Sequence, residues 1–146
     1  MKIGISACLT GEKVRYDGTD KKSEELLETL KGHELVKICP EMAAGFSVPH
    51  DPIEIRKEQV LSLSGKNVTE KLYKGARECL EMIMECDFVI LKEKSPSCGL
   101  HKIYDGSFSG KLIEGNGIFA RLCQEHKILV YSETDIEEIR RKTAGK

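Results

Sequence analysis

The feature that most constrains the fold is a continuous apolar run at Phe88–Leu91, with the sequence FVIL. A strand that is apolar on both faces belongs in the centre of a parallel sheet, because helices cover such a sheet on both sides. Parallel strands also need long crossover connections, which are usually helical. The run therefore predicts a three-layer α/β/α protein with this strand near its middle.

The remaining segments alternate between strand and helix patterns, as that architecture requires. We expect strands at residues 2–7, 34–38 and 128–131, and helices at 24–30, 70–85, 117–126 and near the C-terminus. The expected helix caps are Ser23, Thr69, Asn116, and Thr134 or Asp135. A hairpin is expected within 53–68, and the segments 41–52 and 92–117 are expected to be loops. The pattern predicts one domain over residues 1–146, with an open, mostly parallel, Rossmann-like sheet and a small hairpin insertion.

Composition excludes several classes of protein. The chain has 146 residues, 40 % hydrophobic and 32 % charged, and a formal net charge of -1. Such a charge gives no strong signal for nucleic acid or an anionic membrane, although Lys92 and Lys94 could form a local basic patch near Cys98. No stretch reaches the roughly 20 apolar residues that span a bilayer, and the short N-terminal apolar run is typical of a buried strand rather than a signal peptide. We therefore expect a cytoplasmic protein.

Half of the six cysteines follow predicted strands. Cys8 follows the first strand, Cys39 follows the second, and Cys98 lies in the loop after the FVIL strand. Ligands of open α/β sheets bind outside the carboxyl ends of the strands, so these strand-end cysteines are expected to meet at one edge of the sheet. The other three lie within or just after predicted helices and are interpreted as small buried apolar residues; these helix cysteines are Cys79, Cys86 and Cys123.

The strand-end cysteines leave three chemistries open. Disulfides are not expected in a reducing compartment. Three thiolates suit an iron–sulfur cluster with one open iron, a zinc ion with an open fourth position, or a nucleophile with a resolving thiol. No close CxxC pairs are present to decide between them.

Polar residues close to the strand-end cysteines are further candidates. Glu41 lies two residues after Cys39, and a carboxylate near thiolates is suited to moving protons. Ser95 precedes Cys98 by three residues, although it could simply cap a turn. Asp17 and Asp105 each precede a glycine, so ordinary turn chemistry competes with a functional role for both.

Histidines and glycines carry weaker signals. His33 and His126 are expected to be solvated residues at helix ends, whereas His50 and His101 lie in the two loops that look functional. No histidine pair has the i, i+4 spacing of metal ligands. The glycines of the 92–117 segment form no phosphate-binding motif after a strand, so a nucleotide fold of that type is weakly supported.

Several blocks of the chain resemble the family known as domain of unknown function 523, whose members include thiouracil desulfidases. The blocks are SACLTGEKVRYDG (6–18), CPEMAAGFSVPHDP (39–52), LKEKSPSCG (91–99) with IYDGSFSG (103–110), and GNGIFARLCQEHKILVYSE (115–133). They occur in the family's order and span nearly the whole chain. The chain is therefore identified as a member of this family with one such domain.

The resemblance implies a [4Fe-4S] cluster held by Cys8, Cys39 and Cys98, with one iron open to the sulfur of a thiolated pyrimidine. That iron would act as a Lewis acid while water attacks the carbon, without net redox change. By similarity the acid–base group falls on Glu41 and the assisting serine on Ser95. Asp17 also matches a family motif.

The substrate that the resemblance implies is a thiolated nucleobase or nucleoside of the 2-thiouracil or 4-thiouridine type. Ser97, His50 and Asp105 are the expected substrate contacts. His50 stands where the family usually has arginine, which bears on substrate identity rather than on the cluster. The alternative function is a non-catalytic metal- or redox-sensing module that binds a small molecule, with zinc as the alternative metal.

Overall fold

A computed structural model describes residues 1–144. Its strands are β1 (Lys2–Ser6), β2 (Glu34–Ile38), β3 (Ile53–Arg56), β4 (Gln59–Ser62), β5 (Phe88–Leu91), β6 (Lys102–Tyr104), β7 (Leu112–Glu114) and β8 (Val130–Ser132). Its helices are α1 (Glu24–Thr29), α2 (Pro40–Ala43), α3 (Thr69–Ile83), α4 (Ile118–Glu125) and α5 (Ile136–Ala144). No described helix combines the length and apolar character needed to cross a membrane.

The central sheet has the strand order β2-β1-β5-β8, and all of its pairings are parallel. The side chains of β5 alternate between two cores: Phe88 and Ile90 pack with residues of α1 and α5, whereas Val89 and Leu91 pack with residues of α3 and α4. The strand is buried on both faces because each face carries its own helical layer. The predicted three-layer, Rossmann-like α/β fold is confirmed.

The two segments predicted to be loops contain regular structure. Segment 92–117 carries the antiparallel hairpin β6–β7, whose three-residue strands are too short to show an alternating pattern. Segment 41–52 begins inside helix α2, which starts with Pro40 at its first turn, where a missing N–H costs nothing. The expected hairpin within 53–68 is confirmed as β3–β4.

Of the predicted helix caps, the structure confirms Ser23 and places Thr69 and Asn116 differently. The Ser23 hydroxyl accepts a hydrogen bond from the Leu26 amide, as expected for an N-cap. Thr69 is instead the first residue of α3, and its hydroxyl accepts from the Val60 amide of the hairpin. Asn116 precedes the cap position and accepts a hydrogen bond from the His101 amide. Helix α5 begins directly after Asp135. The predicted single domain also includes residues 145 and 146, which lie outside the described residues.

Candidate active site and metal centre

The strand-end cysteines lie at the carboxyl edge of the central sheet. Cys8 is in a 3-10 turn (Ala7–Thr10) directly after β1, Cys39 directly follows β2, and Cys98 is in the loop after β5. These strands are neighbours in the order β2-β1-β5, so their ends converge. All three cysteines line one cavity of about 570 Å³, here called the main cavity.

Burial keeps these thiols protonated. Desolvation is the main cause that raises the pKa of Cys8 and of Cys39 to about 11 each, and it raises that of Cys98 well above the usual value. The proximity of Cys39 adds to the shift at both other cysteines, while Lys92 and Arg15 oppose it at Cys8. A metal bound here would have to displace these protons, because only the thiolate is a metal ligand.

The strand-end thiols of the main cavity are donors that suit an iron–sulfur cluster. Thiolates are the ligands of such clusters, and the Ser97 hydroxyl oxygen lies 3.9 Å from the Cys98 sulfur. Within residues 1–144, no group of three cysteine, histidine or acidic side chains is arranged to hold one metal ion.

Local hydrogen bonds fix the loop that carries Cys98. The Ser95 hydroxyl accepts from the amides of Ser97 and Cys98, at 3.1 Å each, so the serine does cap a turn. The first amides of α4 also hold this loop: Ile118 donates to the Pro96 carbonyl at 2.9 Å and Phe119 to the Ser97 carbonyl at 2.7 Å. Helix α4 thereby uses otherwise unpaired terminal N–H groups to position the cysteine loop.

A glycine allows α4 to approach so closely. Gly117 precedes α4, and a Cβ atom at this position would lie 2.6 Å from the Ser97 carbonyl carbon and 2.8 Å from the Cys98 nitrogen. Both of those atoms belong to the main chain, so they cannot move aside without moving the cysteine. The position therefore requires glycine.

Glu41 is one of the carboxylates that line the main cavity. It lies in the first turn of α2, two residues after Cys39, and its side chain is 13 % exposed. Its Oε2 accepts a hydrogen bond from the Ser97 hydroxyl at 3.0 Å, and its Oε1 lies 3.2 Å from His50 Nε2. The hydrogen bond to Glu41 raises the pKa of His50 above its ordinary value. Glu41 is thus held between a histidine and a serine.

The serines extend this arrangement into a chain. The hydroxyls of Ser95 and Ser97 are 2.9 Å apart. Because the one proton of the Ser97 hydroxyl points to Glu41, Ser95 is the donor between the two serines. Hydroxyl, hydroxyl and carboxylate therefore form a continuous path, and all three residues line the main cavity. Such a path can carry a proton from the cavity to the carboxylate.

The other predicted site residues lie apart. His50 does not line the main cavity; it packs behind Glu41, with its ring centroid 4.9 Å from that of Phe46. Asp17 is exposed and accepts from the hydroxyl of Thr19, which lowers its pKa. Asp105 accepts from the hydroxyl of Ser107, which lowers its pKa in the same way. The structure thus places both aspartates in local turns rather than with the cysteines.

Sequence reasoning did not identify several residues of the main cavity. The sequence motif indicated Asp17, whereas its neighbours Arg15 and Tyr16 line the cavity. Lys92, by contrast, was expected in a basic patch near Cys98 and does line the cavity, with its Nζ 3.1 Å from Glu133 Oε1. Glu54 and Phe108 reach the cavity from the two hairpins, and no sequence signal linked these segments.

Comparison with known proteins yields three matches. A sequence model of the 2-thiouracil desulfurase family matches residues 3–135. The uncharacterized protein YbbK of Bacillus subtilis (strain 168) is 38 % identical over 149 residues, covering 94 % of this chain and 99 % of YbbK. The solved structure of the [4Fe-4S]-dependent thiouracil desulfidase TudS (DUF523Vcz) is 37 % identical, covers 99 % of each chain and superposes with a TM-score of 0.91. The resemblance found in the sequence motifs is confirmed.

Proposed function

Because the chain belongs to the 2-thiouracil desulfurase family, we propose that it is a desulfidase that replaces the sulfur of a thiolated pyrimidine by oxygen without net redox change. The observation that carries the proposal is the main cavity, where three strand-end cysteines lie beside the Glu41–Ser97–Ser95 chain. A likeness to TudS over the whole fold supports it.

Cys8, Cys39 and Cys98 would hold a [4Fe-4S] cluster. When bound, the cluster supplies a Lewis acid for the thiocarbonyl sulfur at the iron that has no cysteine ligand. The protein contributes the arrangement around it: Lys92 and Arg15 lie close enough to lower the pKa of Cys8, so positive charge favours the thiolate form. Burial of the thiols shields them from competing ligands in water.

Glu41 is the proposed general base. A water molecule that attacks the ring carbon must lose a proton, and the Ser95–Ser97 path leads from the cavity to Glu41 Oε2. His50 holds the opposite carboxylate oxygen, so Glu41 keeps one orientation while its other oxygen receives the proton. His50 is thus a positioning residue, which differs from the direct substrate contact expected from the sequence.

Atoms balance without an external reductant. The C=S group and one water molecule give a C=O group and hydrogen sulfide: the carbon–sulfur bond breaks, a carbon–oxygen bond forms, and both water protons end on sulfur. Glu41 is suited to move these protons in turn. The main cavity, at about 570 Å³, is of the size that holds a small organic molecule.

The test uses protein that is purified and reconstituted with iron and sulfide without oxygen. With 2-thiouracil or 4-thiouridine in ¹⁸O-labelled water, we expect one sulfide released for each uracil or uridine formed, with the label in the new carbonyl. No reductant should be required. Metal-loaded protein that binds these compounds but never releases sulfide would instead support a binding module.

A further inference from the structure

The β6–β7 hairpin supplies one wall of the main cavity. Tyr104 and Phe108 of this hairpin line the cavity together with the strand-end cysteines. Hairpin tips are usually the most mobile parts of a fold, because their amides are satisfied by water. Here the tip amides have a protein partner.

That partner is Glu54 on strand β3. Its Oε1 accepts hydrogen bonds from the Gly106 amide at 3.0 Å and from the Phe108 amide at 3.2 Å. These contacts join segments more than 50 residues apart in sequence. Hydrogen bonds to a charged acceptor are stronger than those between neutral groups, so one carboxylate fastens the tip of one hairpin to the other.

The backbone of the tip adopts a conformation that needs such support. Phe108 has φ of 57°, in the left-handed region, which is disfavoured for a bulky residue. A Cβ atom at Gly106 would lie 2.4 Å from Arg56 Cβ, so the two hairpins are in close contact. Residues persist in such conformations where the surroundings fix them, and these positions often lie at ligand sites.

We propose that Phe108 is the aromatic face against which the flat ring of the substrate stacks, and that Glu54 is the positioning residue that holds it there. The inference rests on the proposed function, since it names a substrate-binding residue of that site. Every pyrimidine has a π-face, and stacking on an aromatic side chain needs no particular ring substituents. Glu41 and the serines act on the reacting carbon, whereas Phe108 acts on binding alone.

Steady-state kinetics of the iron-loaded enzyme tests this assignment. Removing a stacking partner typically weakens binding about ten-fold, so Phe108→Ala should raise KM about ten-fold and leave kcat nearly unchanged. Phe108→Tyr should retain a low KM. Glu54→Ala should raise KM by a similar factor, and Glu54→Gln, which keeps an acceptor oxygen, should recover most of it. Glu58→Ala is the matched control, since Glu58 is an exposed carboxylate on the adjoining turn.

A double variant separates the positioning role from an independent one. If Glu54 acts through Phe108, Glu54→Ala combined with Phe108→Ala should be no worse than Phe108→Ala alone. Effects on KM that multiply would overturn the inference, as would a wild-type KM in Phe108→Ala. A fall in kcat at unchanged KM in either single variant would also contradict it.

Amide hydrogen exchange tests, without a measurement of activity, whether Glu54 holds the tip of the β6–β7 hairpin. Exchange at Gly106 and Phe108 should accelerate in Glu54→Ala and stay unchanged in Glu58→Ala. Equal protection in both variants would overturn the positioning role even if Glu54→Ala altered turnover. If the wild type released no sulfide, the proposed function would fail, and with it the substrate role of Phe108, while the exchange result would still decide whether Glu54 holds the hairpin.

Discussion

Six cysteines of one chain occupy two contrasting environments. The strand-end cysteines lie in loops at the carboxyl edge of the sheet and line the main cavity. Among the helix cysteines, Cys79 and Cys123 are fully buried between helices and strands, and Cys86 is partly buried after α3. None of the helix cysteines lines the main cavity.

Thiol acidity does not separate the two groups. Burial raises the pKa of Cys79 and of Cys123 to about 12, close to the values at the strand ends. What differs is access: the strand-end cysteines line the cavity, whereas the Cys79 and Cys123 thiols are enclosed by apolar side chains. The candidate metal ligands therefore differ from the other cysteines in their position at strand ends and not in their thiol pKa.

Single cysteine substitutions should show the largest difference between the strand-end cysteines and the helix cysteines. Cys8→Ala, Cys39→Ala and Cys98→Ala should each lose essentially all bound iron and all activity, because a cluster with three ligands has none to spare. Cys79→Ala and Cys123→Ala should keep the iron and lose about 1–2 kcal/mol of unfolding free energy from the cavity each creates. Iron analysis would measure the bound metal, and anaerobic urea unfolding would measure the free energy of unfolding. Cys79 is the most demanding control, since it contacts the main chain of Cys39.

Glu41→Gln should lower the rate of catalysis in the main cavity without a change in metal binding. The amide cannot accept a proton, so kcat should fall about 10²- to 10⁴-fold, the usual contribution of a general base. Iron content should stay at the wild-type level, as Glu41 is not a proposed ligand. Glu12→Gln is the control, because Glu12 is an exposed partner of Lys37. Loss of iron in Glu41→Gln would assign the carboxylate to the metal instead.

Gly117→Ala should show that the strand-end cysteines depend on the close contact between the start of α4 and the loop that carries Cys98. The added methyl group would meet the main chain of Ser97 and Cys98, so we expect a loss of about 1–3 kcal/mol and weaker iron retention. Gly115→Ala is the matched control: its methyl group would meet side-chain atoms of Ile103, at 3.0 Å and 3.2 Å, and no main-chain atom. Anaerobic denaturation with iron analysis compares the two. Equal effects would remove the special role of Gly117.

The His50–Glu41 pair should give a smaller, pH-dependent effect. Since Glu41 raises the pKa of His50, the pair stabilises the fold fully below the ordinary histidine value of about 6.5, and this contribution is lost as pH rises through the raised folded value. NMR titration should place the His50 pKa above its ordinary value in the wild type and lower in Glu41→Gln. An identical pKa in both proteins would mean that the pair does not form.

Asp17→Asn should have the smallest effect. The side chain is exposed and engaged with Thr19 in its own turn, so kcat, KM and iron content should remain at wild-type values. Steady-state kinetics would compare Asp17→Asn with Glu41→Gln and the wild type. A fall in kcat like that of Glu41→Gln would restore the catalytic role that the sequence motif suggests.

The sequence predicts the core of this fold well because the relevant signals are local or topological. The FVIL run identified a strand buried on both faces, and the rule that parallel strands end at one edge brought Cys8, Cys39 and Cys98 together. The adjacency of Glu41 to Cys39 is a matter of chain distance. These inferences need no knowledge of contacts between distant segments.

The missed features depend on long-range contacts. Nothing near Glu54 indicates that it binds amides in a loop beyond residue 100, and nothing near His50 indicates that it lies behind Glu41. Asp17 and Asp105 both precede glycine in ordinary turn sequences, and the structure shows both in such turns. Placement of the short β6–β7 strands likewise depends on packing against β3 rather than on their own pattern.

We propose that the strand-end cysteines hold an iron–sulfur cluster with an open iron. Iron and acid-labile sulfide analysis, with Mössbauer spectroscopy on anaerobically reconstituted wild-type protein with and without 2-thiouracil, tests this proposal. We expect about four irons and four sulfides per chain, with one iron altered by the added compound. Stoichiometric zinc, or metal-loaded protein in which all three strand-end thiols remain open to alkylation, would contradict the claim.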